Sequence, residues 1–241
     1  MRCFRDATCS ITWSSFASAV LLSVAVPSLL HAQACLGAPS YRVAPLQLGA
    51  GASFTDGSKG AGVQVGLGAP QGLFANLGVN LTSYDGLDGT GTSVGGSLGY
   101  DVAVTPTPAR GPAPSTSVSL CPIASVAYTK LPSFSDGTND YDAHELDAGG
   151  GVALGVSVTA SPTVSVIPFG SFAYYYGRAS VSSVGLGSES VSDTFGAATL
   201  GIGLLLNQRI TIRPSVLIPV GIEGSNPSFN FAVGFQVGSR Q

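Results

Sequence analysis

Charge is scarce in this 241-residue chain: Asp, Glu, Lys and Arg together make up 10% of it, against ~25% in a soluble globular domain. So little charge cannot cover a water-facing surface of this size. Lysine is nearly absent beyond the N-terminal segment, where only Lys59 and Lys130 remain. Long apolar runs are missing too. The one continuous stretch, Phe16–Leu30, is about fifteen residues and is interrupted by Pro27, short of the ~20 that a spanning helix needs. Metal-binding spacing is also lacking: none of the four cysteines forms a CxxC pair, and after residue 34 one histidine is left, so a zinc site has no basis. No Gly-x-Ser-x-Gly, phosphate loop or dinucleotide fingerprint occurs in a supporting context, and no cofactor is expected.

What the N-terminus does contain is an export signal. Arg2 and Arg5 supply the basic start, Phe16–Leu30 the apolar core, and Ala32-Gln33-Ala34 the small-x-small site that a signal peptidase accepts. Cys35 follows the cut at once. A lipidation site would carry Leu three residues before the cysteine; Ala32 stands there, which argues against a lipoprotein. The expected organisation is a signal peptide over 1–34 and a single domain over 35–241. Removing Arg2, Arg5 and Asp6 leaves eight basic and twelve acidic residues, a net of −4, so nucleic acid is not an expected partner.

Apolar residues reach 44% of the chain and glycine 33 of 241, and they are distributed in strict alternation. Phe229, Phe231, Val233, Phe235 and Val237 form one face of the last segment, with Asn230, Ala232, Gly234, Gln236 and Gly238 on the other. The same period of two, which is strand geometry, recurs through Leu46–Phe54, Val63–Leu67, Leu73–Thr82, Ser93–Val104, Val118–Tyr128, Leu146–Val158, Ala197–Leu206 and Arg209–Val220. Thr163–Tyr176 is the least regular, because Ile167 and Phe169 break the pattern. Ten segments result, most within reach of the ~9–11 residues of a tilted membrane strand. The expected fold is an all-β, antiparallel, up-and-down transmembrane barrel of about ten strands, with eight as the alternative.

The connections fall into two classes. Ala69-Pro70-Gln71, Ala160-Ser161-Pro162 and Asn207-Gln208 are tight. Asp56–Gly60, Asp85–Gly91, Lys130–His144, Arg178–Ser190 and Gly221–Asn226 are polar and mostly longer, and ten of the twelve remaining acids lie in or beside them. Short turns on one side and long loops on the other suit a barrel with both termini in the periplasm. The Pro-rich Thr105–Ser115 is long although it falls on the short side. The rival is a soluble exported β-sandwich serving as a binding module, which also alternates. Its second face would collect Lys, Glu and Thr; here that face is Gly, Ser, Ala and Asn, which suits a crowded barrel interior.

The signal ending Ala32-Gln33-Ala34, the ten alternating segments and the closing strand Phe229–Val237 resemble the small Gram-negative outer-membrane barrels of the OmpA-type class. Gly234 with aromatics at two-residue spacing resembles the assembly signal of that class, except that Gly238-Ser239-Arg240-Gln241 follow the last aromatic. The resemblance implies an outer-membrane location, outer-membrane lipid as solvent, and the barrel-assembly machinery as partner during insertion. It carries no functional residues across.

Candidate sites follow from the alternation. Cys35 and Cys121, the pair left after signal cleavage, predict a disulfide in an oxidising compartment. With Cys121 on the inward face, that bond pins the N-terminal segment inside the lumen. Asp101, Arg209 and Arg213 fall on inward positions, and charge pairing across the lumen is expected of them. Asp136, Asp140 and Asp142 are candidate calcium ligands, clustered without a calcium-binding spacing. Asp142-Ala143-His144 resembles half of the active site of omptin proteases, which are also ten-stranded barrels, and makes an outer-membrane enzyme the alternative reading. No second acidic pair at omptin spacing accompanies it. The reading favoured by the residues is a non-enzymatic, porin-like barrel with a narrow, largely filled lumen and a role in envelope structure, surface contact or passage of a small solute.

Overall fold

The computed structural model describes residues 34–41, 45–106, 116–135, 139–183, 187–222 and 224–238; the expected signal peptide, but for Ala34, lies outside them. Ten antiparallel strands close into a barrel: β1 (Leu46–Thr55), β2 (Ser58–Gly68), β3 (Leu73–Tyr84), β4 (Thr90–Tyr100), β5 (Thr116–Lys130), β6 (Asp140–Ser161), β7 (Val164–Ser183), β8 (Gly187–Leu206), β9 (Ile210–Val220) and β10 (Ser228–Val237). Each strand pairs with its sequence neighbours, and β1 closes the ring on β10 in a register running from Leu46↔Val237 to Phe54↔Phe229. Closure leaves no sheet edge within the apolar layer, where an unpaired backbone polar group would be costly.

β4 is continued by Val102–Pro106. The register against β5 is unchanged across the break, with Gly99↔Ile123 before it and Val102↔Leu120 after it. Pro122, which has no N–H to donate, therefore stands opposite Tyr100, and Cys121 opposite Asp101. The turn at the β8–β9 hairpin holds Asn207 and Gln208 at φ 50° and 58°, the left-handed pair that lets a tight turn follow strand twist.

Every barrel strand exposes large apolar side chains on its outer face, among them Leu48, Val63, Leu77, Leu98, Val126, Leu154, Phe172, Leu200, Ile218 and Phe231. A continuous belt of this kind is untenable in water and natural in lipid. Tyr128, Tyr174 and Tyr176 sit exposed at the hairpin end of that belt, where amphipathic rings meet headgroups. The inner face is small and polar, with Ser93, Ser97, Ser119, Thr211 and Asn230 buried.

Two expected loops are strand instead. β7 continues to Ser183 and β8 begins at Gly187, so most of Arg178–Ser190 is a paired hairpin with Glu189 facing Val181. Likewise β6 starts at Asp140, inside the expected Lys130–His144 loop, and Phe134–Ser135 pairs against Tyr141 and Asp140. Polar composition misleads here because strands that rise beyond lipid no longer need an apolar face. Asp56–Gly60 shrinks to a two-residue turn, since Thr55 already pairs with Ser58.

Candidate functional site in the barrel lumen

The lumen is where the sequence spends its exceptions. Residues 34–41 enter it at the end where both described termini lie, opening with a short 3₁₀ turn, Ala34–Leu36. A disulfide joins Cys35 to Cys121, with Cα atoms 6.0 Å apart and both residues fully buried. Around it the segment is held by side chains from most of the wall. The Ser40 hydroxyl donates to the Asp101 carboxylate, and the Tyr41 hydroxyl donates to Asn76 Oδ1. Asn76 Nδ2 passes the chain on to Ser97 at 3.2 Å. Gln47 Nε2 donates to the Pro39 carbonyl at 2.8 Å, and Arg213 Nη1 to the Leu36 carbonyl at 3.3 Å. The Tyr41 ring stacks on Phe74 at 5.7 Å. Buried polar groups with partners fix orientation, whereas the same groups left alone would be destabilising.

Backbone and ring need room against the wall, and glycine supplies it. A Cβ at Gly203 would overlap the carbonyl of Gly37, and one at Gly66 would overlap the Tyr41 hydroxyl. The wall also turns apolar where the segment lies. Ile167 points inward and is buried, and the inward Phe169 ring packs over Gly37. These two residues are the ones that break the alternation of β7. The irregularity marks a side chain serving an inner partner rather than the lipid.

Above the plug lies a cavity of about 90 Å³. Leu36, Phe169 and Arg213 form its floor, Ser125, Thr199 and Ser215 its polar wall, and Asp147 and Tyr175 its ceiling. Tyr175 stacks on the inward Phe195 at 5.3 Å. Higher still, Tyr84, Leu131 and Ala143 form a buried apolar cluster with Leu87, Phe134 and Val181 packed against it. The lumen is thus filled at one end by the disulfide-bonded segment and roofed at the other by apolar side chains.

The expected site residues fall as follows. Asp101 and Arg213 both face the lumen and are buried, and both hold the N-terminal segment. Arg209 lies outside, exposed in the tight turn after β8, because the Asn207-Gln208 reversal lifts it past the last strand position. Asp142 and His144 occupy the outward face of β6: Asp142 accepts from Ser133 at 2.7 Å, and His144 lies beside Tyr128 with ring centroids 5.9 Å apart. Asp140 is exposed on the same face, and Asp136 lies outside the described residues. Among the described residues, no third carboxylate, histidine or cysteine joins Asp140 and Asp142 into a metal-sized cluster. Glu145, which directly follows the expected Lys130–His144 loop, is buried on the inner face next to Asp147. Its parity with Asp147, Gly149 and Gly151 was the available signal.

A closed ring of antiparallel strands with an apolar outer belt also occurs among solved structures. In fold the chain resembles small Gram-negative outer-membrane barrels. The N-terminal β-barrel domain of Pseudomonas aeruginosa OprF matches with a TM-score of 0.40 and 9% identity, over 81% of this chain and 99% of that one. Ail, the attachment invasion locus protein of Yersinia pestis, matches with a TM-score of 0.38 and 17% identity, over 80% of this chain and 95% of that one. The outer membrane protease OmpT of Escherichia coli matches with a TM-score of 0.41 and 6% identity, over 81% and 94%. Likeness at this level concerns architecture alone. No family model matches the sequence, and no curated protein does.

Proposed function

We propose that the chain is a non-conducting surface-contact barrel of a Gram-negative-type outer membrane, with both termini periplasmic and the roofed end outside. The observation that carries this reading is the unequal height of the strands. β1–β4 and β9–β10 are 10–12 residues long, whereas β6–β8 are 20–22. Beyond Tyr176, the last lipid-facing ring of β7, seven more residues run to Ser183, roughly 23 Å of strand at ~3.3 Å per residue. Residues Gly187–Thr194 of β8 are exposed throughout. Their far edge is open, since β9 pairs with β8 only from Val220↔Gly196 inward. A ledge of three strands, lined with serine and carrying Arg178, Glu189 and Asp193, is a surface to be touched.

The filled lumen supports the same reading from the other side, because a segment fixed covalently across the wall leaves little path for a solute. The outward placement of Asp142 and His144 gives no support to an omptin-like reaction, in which the pair would face the mouth. Lipid and the assembly machinery are then the partners during insertion, and residues 1–34 the signal removed on export. The test is a variant in which Ser180–Ser190 is replaced by a two-residue turn. Expressing cells should lose adhesion to cell-coated and protein-coated surfaces, while the barrel keeps its heat-dependent gel shift. Undiminished adhesion of the trimmed variant contradicts the proposal.

A further inference from the structure

The acid pair beneath the roof has no role in the proposal above. Glu145 and Asp147 are each 2% exposed or less and occupy successive inward positions of β6. Both carboxyls crowd over Gly177, with the edge of the Phe195 ring beside them: a Cβ there would lie 2.8 Å from Asp147 Oδ1, 3.3 Å from Phe195 and 3.6 Å from Glu145 Oε1. Apart from the contact of the two carboxyls with each other, Glu145 Oε2 and both oxygens of Asp147 are buried without a hydrogen-bond partner. An independent group points to the same place. Thr129 is 4% exposed, its hydroxyl also has no partner, and it stands directly across from Glu145 in the β5–β6 register. Cross-strand partners on one face have Cβ atoms ~4.5–5.5 Å apart, within reach of one shared ion. Asp147 also opens onto the cavity below, which gives water a place on the remaining side.

Two adjacent carboxyls withdrawn from water cannot both carry charge uncompensated; a proton or a metal cation must offset one of them. Among the described residues no Lys, Arg or His forms a hydrogen bond or ion pair with either acid. We infer that Glu145, Asp147 and Thr129 form a calcium site at the roofed end of the lumen. The donors are all oxygen, which selects a hard cation, and calcium tolerates a mixed set of carboxylate, hydroxyl and water ligands without strict geometry. Two carboxylates are few, so a dissociation constant on the order of 10⁻⁴–10⁻³ M is expected, as for extracellular calcium modules. Bound calcium would tie β5 to β6 directly under the apolar roof.

The experiment is calorimetric titration of the folded, oxidised full barrel in detergent, stripped with chelator, using calcium chloride. One saturable site per chain is expected. Glu145→Gln and Asp147→Asn, which keep volume and shape, should each weaken binding at least tenfold while the gel shift persists. Absence of a saturable heat in the unaltered protein overturns the inference, and so does unchanged affinity in both variants. Neither result bears on adhesion by the ledge.

Discussion

Replacing Cys35 and Cys121 together by serine removes the disulfide that ties the inner segment to the wall of β5. The two cysteines are 86 residues apart in sequence. On the chain-entropy relation, closing a loop of that length costs the unfolded chain about 15 cal/mol/K, or about 4.6 kcal/mol at 25 °C. The folded state keeps its other ties: the Tyr41–Phe74 stack, the Gln47 and Arg213 bonds to the segment's carbonyls, and the Ser40–Asp101 bond. The barrel should therefore still form, and the loss should appear as a lower unfolding midpoint. At a urea dependence of ~2–3 kcal/mol/M, the midpoint falls by roughly 2 M. The assay is the fraction of protein retaining folded gel mobility after equilibration in urea, with oxidised and dithiothreitol-treated protein as a matched pair. Coincident midpoints for the variant and the oxidised protein would refute the reasoning, since they would mean that the bond constrains nothing that unfolding releases.

Further perturbations address the wall from both faces. Gly203→Ala puts a methyl group against the Gly37 carbonyl and should cost about 1–3 kcal/mol as overpacking, read in the same urea series; an unchanged midpoint would show that the segment does not press on β8. Leu200→Arg, three residues away on the lipid face and 60% exposed, should cost ~2–4 kcal/mol and lower the yield of folded barrel in liposomes. Equal yields would deny that this face meets hydrocarbon. Arg213→Ala removes the donor to Leu36 and enlarges the cavity, with an expected loss of about 1.5–3 kcal/mol for a charged hydrogen bond.

Much of this architecture was legible because period-two alternation survives on both sides of a membrane wall. Leu200, Ile202 and Leu204 against Gly201 and Gly203 define β8 without any tertiary knowledge. Cys121 shared the inward parity of Ser117 and Ser119, which was enough to aim the disulfide into the lumen. Alternation stops being informative where lipid stops. Gly187–Ser190 has the look of a loop because both of its faces meet water, and a strand in water carries no apolar stripe. Glu145 is obscured for a related reason: it adjoins the acidic Asp140 and Asp142, yet the fold turns Glu145 inward and those two outward. Ile167 and Phe169 looked like irregularity because nothing local to β7 reveals a second chain segment inside the barrel. Parity with Thr211 and Arg213 aims Arg209 into the lumen, but β9 begins only at Ile210 and leaves Arg209 in the exposed turn.

The central claim is that the lumen is closed by the chain's own N-terminal segment. Planar-bilayer recording of the purified, oxidised barrel tests it directly. The account predicts a quiet membrane with no stepwise conductance, and at most the appearance of small steps after reduction frees the segment. Stable open steps from the oxidised protein, unaltered by reductant, would contradict it.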